Sequence, residues 1–361
     1  MQENSPITAK PIKFDWSPSF SIFSAENFLQ SVSDEYGWIG GFNQSEEMVC
    51  VLPYTIIKKG PIRMARFRVE TILIDPNLPV NDEKEFLNCV VDFLRKESID
   101  IIIPASTNCL FRTYPDKATA APYGSHIIDL TQSESTLWKN VHQKHRNVIK
   151  SAEKKGVKIL EGPEILEKAY EIIKETFDRS KLKLMGLNSF NRMISGLGEY
   201  VKILVAEYDG ELQGCAVLPF SEYRAYYSYG GTKSHHLTGA MNYLQWYSIL
   251  LFKEMGVRSY DFCGARISPE IGSKAAKLIM YKERFGGRLY GGYIWKYPIN
   301  QLKAPIYQLG VKLLRKGDIV DAEHKKLPFF KLGGNGTFEF DTEYHKIEGK
   351  EDNYETGNTG F

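Results

Sequence analysis

The sequence predicts an α/β protein made of two similar units in tandem, with mixed central sheets flanked by helices, and three observations predict it. Short apolar runs bounded by turn residues alternate along the chain with longer stretches of helical periodicity. Two distant passages, "EFLNCVVDFLRKESIDIIIPAS" and "QWYSILLFKEMGVRSYDFCGA", repeat one order: helix, Lys-Glu near its end, short turn, strand, small-residue exit. A chain of 361 residues with 43% hydrophobic content, 21 Tyr and 20 Phe has material for real cores and aromatic strands, not for a coiled coil or a disordered polymer.

Taken in order, residues 38–75 read as three or four strands joined by tight turns ("WIGGF", "MVCVLPYTII", "ARFRVETILI"). After Asp75-Pro76-Asn77, Asn81 and Asp82 can cap a helix whose apolar face is Phe86, Leu87, Val90, Val91 and Leu94. "IDIIIPAS" is a buried strand, and 105–131 a crossover loop or strand. The second unit opens on one basic helix, "SESTLWKNVHQKHRNVIKSAEKKGVKIL", with Leu137, Val141, Val148 and Ala152 on one face and Arg146, Lys150, Lys154 and Lys158 on another. Gly156 ends that helix and "VKIL" starts a strand. A helix over 164–178, a polar loop, and a hairpin turning at Asp209-Gly210 follow. Next come the aromatic strand "RAYYSYGGT", a helix over about 240–255, the strand "RSYDFCGA", a helix leading into Lys282, and the strand "LYGGYIWKYPI". The expected boundaries are 1–130 and 131–300 for the two units, 301–330 for a closing amphipathic helix packing back on the first, and 331–361 for a polar, Gly-rich tail.

Composition excludes several classes. A net charge of +2 argues against a dedicated nucleic-acid binder, so any basic site is local. Five scattered cysteines without CxxC or Cys/His spacing read as reduced core thiols, not a zinc site. The adjacent His235 and His236 lack further ligands, so no metal is expected. Neither a leader peptide nor a transmembrane segment is legible, which points to the cytoplasm.

Three stretches carry a resemblance: the basic helix "LWKNVHQKHRNVIKSAEKKGV", the helix and strand "NYLQWYSILLFKEMGVRSYDFCG", and "YKERFGG" with a strand behind it. In that order they look like the Fem-type peptidyltransferases, members of the FemAB/FemX-like, GNAT-fold acyltransferases. The likeness is good over residues 130–300 and weak before. It implies two GNAT-like domains with the acyl-transfer site in the second. It also implies aminoacyl-tRNA as donor, and as acceptor an amine of a peptidoglycan precursor or another amine-bearing glycan or peptide. No cofactor is implied, and a lipid-linked acceptor would draw the protein to the membrane periphery. No long helical arm is legible between 165 and 200.

The resemblance puts Lys282 at the family position implicated in the transition state, with Tyr281 where Phe is usual. Acyl transfer passes through a tetrahedral oxyanion that a fixed cation stabilises without a nucleophilic side chain. The alternative for Lys282 is an ordinary solvated helix residue. Arg284 points to another helical face and suits an acid or a phosphate. Asp261, at a strand end, reads either as acceptor of the amine's proton or as the cap of a turn at Gly264. Tyr227 and Tyr229 share one side of a strand and either line the cleft or pack. Cys263 reads as a buried small residue. Seven Lys/Arg between 139 and 158 against the single acid Glu153 make a solvated face or a docking surface for phosphates, with Arg146 and Lys150 in contact. In "HHLTGAMNY", Gly239 opens a helix where CoA enzymes cradle a diphosphate, but Met241 would crowd it. Two rivals stay open: an acyl-CoA-dependent N-acyltransferase acting on an amino sugar or amino acid, and a non-catalytic module for anionic ligands.

Overall fold

The computed structural model describes residues 7–315 and 317–326. The expected polar tail, 331–361, lies outside the described residues.

The first half consists of β1 (Thr8–Ile12), α1 (Glu26–Val32), β2 (Glu35–Phe42), β3 (Met48–Lys59), β4 (Ile62–Phe67), β5 (Ile72–Leu73), α2 (Val80–Lys96) and β6 (Ile101–Ile102). Then come β7 (Thr119–Asp129), α3 (Glu134–Asn140), α4 (Gln143–Lys154), β8 (Lys158–Glu161), α5 (Leu166–Arg179), α6 (Leu187–Leu197), β9 (Val201–Tyr208) and β10 (Glu211–Pro219). The remainder is β11 (Ala225–Tyr226), β12 (Tyr229–Thr232), α7 (Ala240–Glu254), β13 (Ser259–Asp261), α8 (Lys274–Glu283), β14 (Arg288–Pro298), α9 (Lys303–Arg315) and α10 (Ile319–His324). This is the mixed α/β fold expected.

A ten-stranded sheet runs β1-β2-β3-β4-β6-β14-β7-β13-β11, with β5 pairing on β3, and a four-stranded sheet runs β12-β10-β9-β8. The repeated sequence passage becomes a repeated crossover. α2 joins the parallel strands β4 and β6, and α7 joins the parallel strands β11 and β13. Each crossover is then flanked by an antiparallel strand from elsewhere in the chain, β14 against β6 and β7 against β13. The long strand β14 pairs with β7 from Arg288 to Lys296 and with β6 at Tyr297 and Pro298, so one ladder continues across both halves. Its Trp295, 2% exposed, packs its ring 5.4 Å from both Phe67 and Phe111 in the first-half core. Burial of a side chain this large contributes about 2–3 kcal/mol. A second core mixes Phe23, Phe28 and Trp38 with Tyr170, Phe190 and Tyr226.

Three local expectations are corrected. The basic stretch is not one helix: Val141 is extended (ψ 128°), and His142 caps α4 by accepting from the Lys144 N–H at 3.1 Å. The buried face is accordingly Leu137, Val141, His145, Ile149 and Ala152, with Val148 only half-buried. The loop read as polar contains α6, whose Phe190, Met193, Ile194 and Leu197 are buried at helical spacing. It crosses α1 so tightly that a Cβ on Gly196 would lie 2.3 Å from the Ser31 Cβ. Third, α2 starts at Val80 behind Pro79, with no side-chain cap from Asn81 or Asp82.

Candidate acyl-transfer site

The strand read as "RAYYSYGGT" does not stay in one sheet. β11 pairs with β13 in the large sheet, whereas β12 pairs with β10 in the small one, and Tyr227-Ser228 cross between them. The Tyr227 N–H still donates to the Asp261 carbonyl at 2.8 Å, so the sheets part just beyond that bond. Tyr227 and Tyr229 therefore do not share a face. The Tyr227 ring packs with the core around Phe262, and Tyr229 with the core around Phe190, its ring 5.4 Å away.

The parting sheets open a cavity of about 480 Å³. Its wall is Ser228, Tyr229 and Cys263 on the split, Arg66, Arg68 and Asn108 from the first half, and Arg192 and Met193 from α6. Beyond β13 the backbone turns through two successive left-handed residues, Cys263 (φ 51°) and Gly264 (φ 62°). A Cβ on Gly264 would meet the Tyr123 hydroxyl at 2.6 Å, so glycine is required there.

Lys282, in the last turn of α8, reaches this turn from behind. Its Nζ donates to the Cys263 carbonyl at 2.7 Å and the Gly264 carbonyl at 2.6 Å. Burial holds the Lys282 amine below the usual lysine range, opposed by Cys263 and Asp261. The α8 helix then stops because Gly286 takes φ +84°, packed against Asn140, and β14 begins at Arg288.

Asp261 is 1% exposed and its oxygens are committed. Oδ1 accepts from the Cys263 N–H at 2.7 Å and from the Ser125 hydroxyl, while Oδ2 lies 3.5 Å from the Arg224 guanidinium. A carboxylate so engaged holds the turn, and Asp261 is not among the residues that line the cavity. Arg224 lies 4.0 Å from Glu70 as well, tying the end of the first-half strand run to β13. Burial, then the Asp261 charge, push the Cys263 thiol well above its ordinary range, which removes it as a thiolate nucleophile.

The other expected site residues stand elsewhere. Arg146 donates to the Trp138 and Lys139 carbonyls at 3.3 and 3.0 Å, closing the end of α3. Lys150 is exposed over the Trp138 ring, 5.7 Å from its centroid. Gly239 (φ +94°) caps α7, where a Cβ would lie 2.6 Å from the Val148 carbonyl, so glycine serves the approach of α4 to α7. Met241 does not crowd that helix start; it is 9% exposed in the core, against Gly214. Arg284 caps α8, its carbonyl accepting the His142 N–H at 2.8 Å, and its side chain meets no carboxylate among the described residues. Sequence reasoning missed Arg66, Arg68 and Arg192. The signal was the alternation Ala65, Phe67, Val69 buried against Arg66, Arg68, Glu70, two bases on one side of an otherwise apolar strand run.

Residues 116–214 match the model of the FemAB family. That stretch of the chain is similar to the FemAB family. It spans β7 to the start of β10 and includes Arg146 and Lys150, but ends before Gly239, Asp261 and Lys282. Among solved structures, the chain resembles a crystal structure of FemX at 14% identity and a TM-score of 0.61, over 81% of this chain and 95% of that one. It also resembles the C-terminal domain of a putative lysylphosphatidylglycerol synthetase from Agrobacterium fabrum, at 13% identity and a TM-score of 0.51, over 79% and 91%. At such identities the likeness is one of fold. No curated protein matches in sequence. No helix of the described residues is long and apolar enough to cross a membrane.

Proposed function

We propose that the protein is a Fem-type transferase that moves an aminoacyl group from aminoacyl-tRNA to an amine of a peptidoglycan precursor. The observation that carries this reading is the Lys282 ammonium, held by the two carbonyls of a left-handed turn whose Cys263 lines the cavity between the parted sheets. The match of residues 116–214 to the FemAB family model and the FemX-like fold support it.

In this reading the acceptor amine nitrogen attacks the acyl carbonyl carbon. The ester C–O bond breaks, and the proton lost by the amine goes to the departing ribose oxygen. Two of the three Lys282 N–H bonds are spent on the Cys263 and Gly264 carbonyls, which fixes the cation at the turn, and the reading requires the third to reach the transient oxyanion past Cys263, the turn residue that lines the cavity. Removing one such donor typically costs 10²–10³ in rate, roughly 3–4 kcal/mol. Asp261 and Arg224 act as positioning residues for the turn, and the cavity supplies proximity. The test is to supply charged tRNA with a muropeptide precursor and look for the mass increase of one aminoacyl residue on the precursor. An unchanged precursor mass in the presence of intact charged tRNA would remove the reading.

A second reading, an acyl-CoA-dependent N-acyltransferase, gains from one observation: Met241 packs inward and leaves the start of α7 uncrowded by its side chain. Calorimetry with CoA separates the two, because binding in the low micromolar range favours the CoA donor.

A further inference from the structure

We propose that the cavity is an oxyanion-binding pocket, in which Arg68, with Arg66 and Arg192, holds a carboxylate or phosphoryl group at the end of a compact, partly apolar acceptor. The proposal rests on reading this cavity as the acceptor's side of the transfer site, and it names the acceptor's chemical class.

Charge carries it first. Three arginines line the cavity, and among the described residues that line it none is acidic. The nearest acid along the chain, Glu70, lies two residues beyond Arg68 but is directed to Arg224, 4.0 Å away. Arg68 is held, not loose: its Nε donates to the Thr55 hydroxyl at 3.0 Å, and its own carbonyl accepts from the Asn108 amide at 2.9 Å. Its terminal nitrogens meet no carboxylate among the described residues. Burial and the neighbouring Arg66 press Arg68 down to about 9. A half-buried guanidinium such as that of Arg68 is costly without an anion, and its planar fork matches carboxylate and phosphoryl oxygens.

Shape and apolar surface carry the rest. Phe23, Phe28 and Met193 form the wall that accompanies the arginines. A cavity of about 480 Å³ suits a compact body of the size small-molecule sites take, on the order of 300–1,000 Å³. It would seat one end of a long precursor, not its whole length. Arg192, exposed on α6, sits at the outer side and adds charge without depending on burial.

The test is calorimetry of the full chain with three probes that share a ring and differ in charge: phenylacetate, phenyl phosphate and phenylacetamide. The expected result is that at least one anion binds and the neutral amide binds about 10-fold more weakly or not at all. Arg68→Gln should weaken the anion roughly 10- to 100-fold while leaving the amide unchanged, and Arg68→Lys should recover part of the loss. Should Arg68→Gln fail to melt like the parent, the exposed Arg192→Gln decides, with a smaller loss of the same sign. The tighter of the two anions tells a carboxylate-ended acceptor from a phosphorylated one. Equal binding of anion and amide, no binding of any probe, or anion binding indifferent to Arg68 and Arg192 would overturn the proposal. The readout is independent of turnover. A pocket that binds anions in a protein transferring nothing keeps the site and removes the function, while transfer without anion binding does the reverse.

Discussion

At the scale of single residues, two buried cationic or ionisable groups set pH dependences of opposite location. Lys282 is kept below the ordinary lysine range by burial, so its ammonium is lost on the alkaline side at a lower pH than an exposed lysine would show. The transfer rate should therefore fall on an alkaline limb below pH 10.5, and that limb should vanish in Lys282→Met. His145 is held down to about 3 by burial, then by Arg284 and His142, between the Tyr281 and Phe285 rings. Its folded value lies below the unfolded 6.5, so the unfolded chain takes up the proton first as pH falls. Stability should decline from about pH 6.5 towards 3, and His145→Phe should flatten that part of a melting-temperature profile. Lys282 was singled out by its place in the family resemblance, since the local pattern alone reads equally as a solvated helix residue. Arg66 and Arg68 were not, because alternating bases in a strand look like a solvated face until the other half of the chain closes over them.

At the scale of elements, the sequence reads well wherever one face alone decides. The hairpin at Asp209-Gly210 has both residues left-handed, as its turn requires, and α2 and α7 lie where their apolar spacing puts them. It reads badly where two short elements share one polar run. The α3–α4 break depends on a tertiary bond from the His142 N–H to the Arg284 carbonyl, which no local pattern contains. Likewise α6 hides four buried apolar residues among Asn, Ser, Arg and Gly. Two substitutions test these assignments by denaturant unfolding. Arg146→Ala should lose about 1 kcal/mol by uncapping α3 and leave anion binding in the cavity unchanged. Gly239→Ala should lose about 2–3 kcal/mol, because the left-handed backbone and the Val148 carbonyl at 2.6 Å both oppose a Cβ.

At the scale of the whole molecule, the two-unit reading came from an echo of two helix–strand passages, and the crossovers β4-α2-β6 and β11-α7-β13 are its physical content. What the echo could not show is the exchange of strands around it. Strand β7, counted with the first half by its place in the sequence, lies between β13 and β14, and β14 in turn reaches β6. Long-range pairing of this kind is set by the sum of contacts in three dimensions and leaves no mark on local periodicity. With one ladder and one mixed core spanning the halves, unfolding should be a single calorimetric transition whose van't Hoff and calorimetric enthalpies agree. Two resolved transitions would mean that the halves melt separately.

The most direct measurement is the single-turnover transfer rate of Lys282→Met beside the parent enzyme, with charged tRNA and muropeptide precursor both saturating. A cation fixed on the Cys263 and Gly264 carbonyls predicts a loss of about 10²–10³ in that rate, with acceptor affinity little changed and the melting temperature lowered by the loss of the two carbonyl bonds. A variant that folds, binds acceptor and transfers at the parental rate would contradict it.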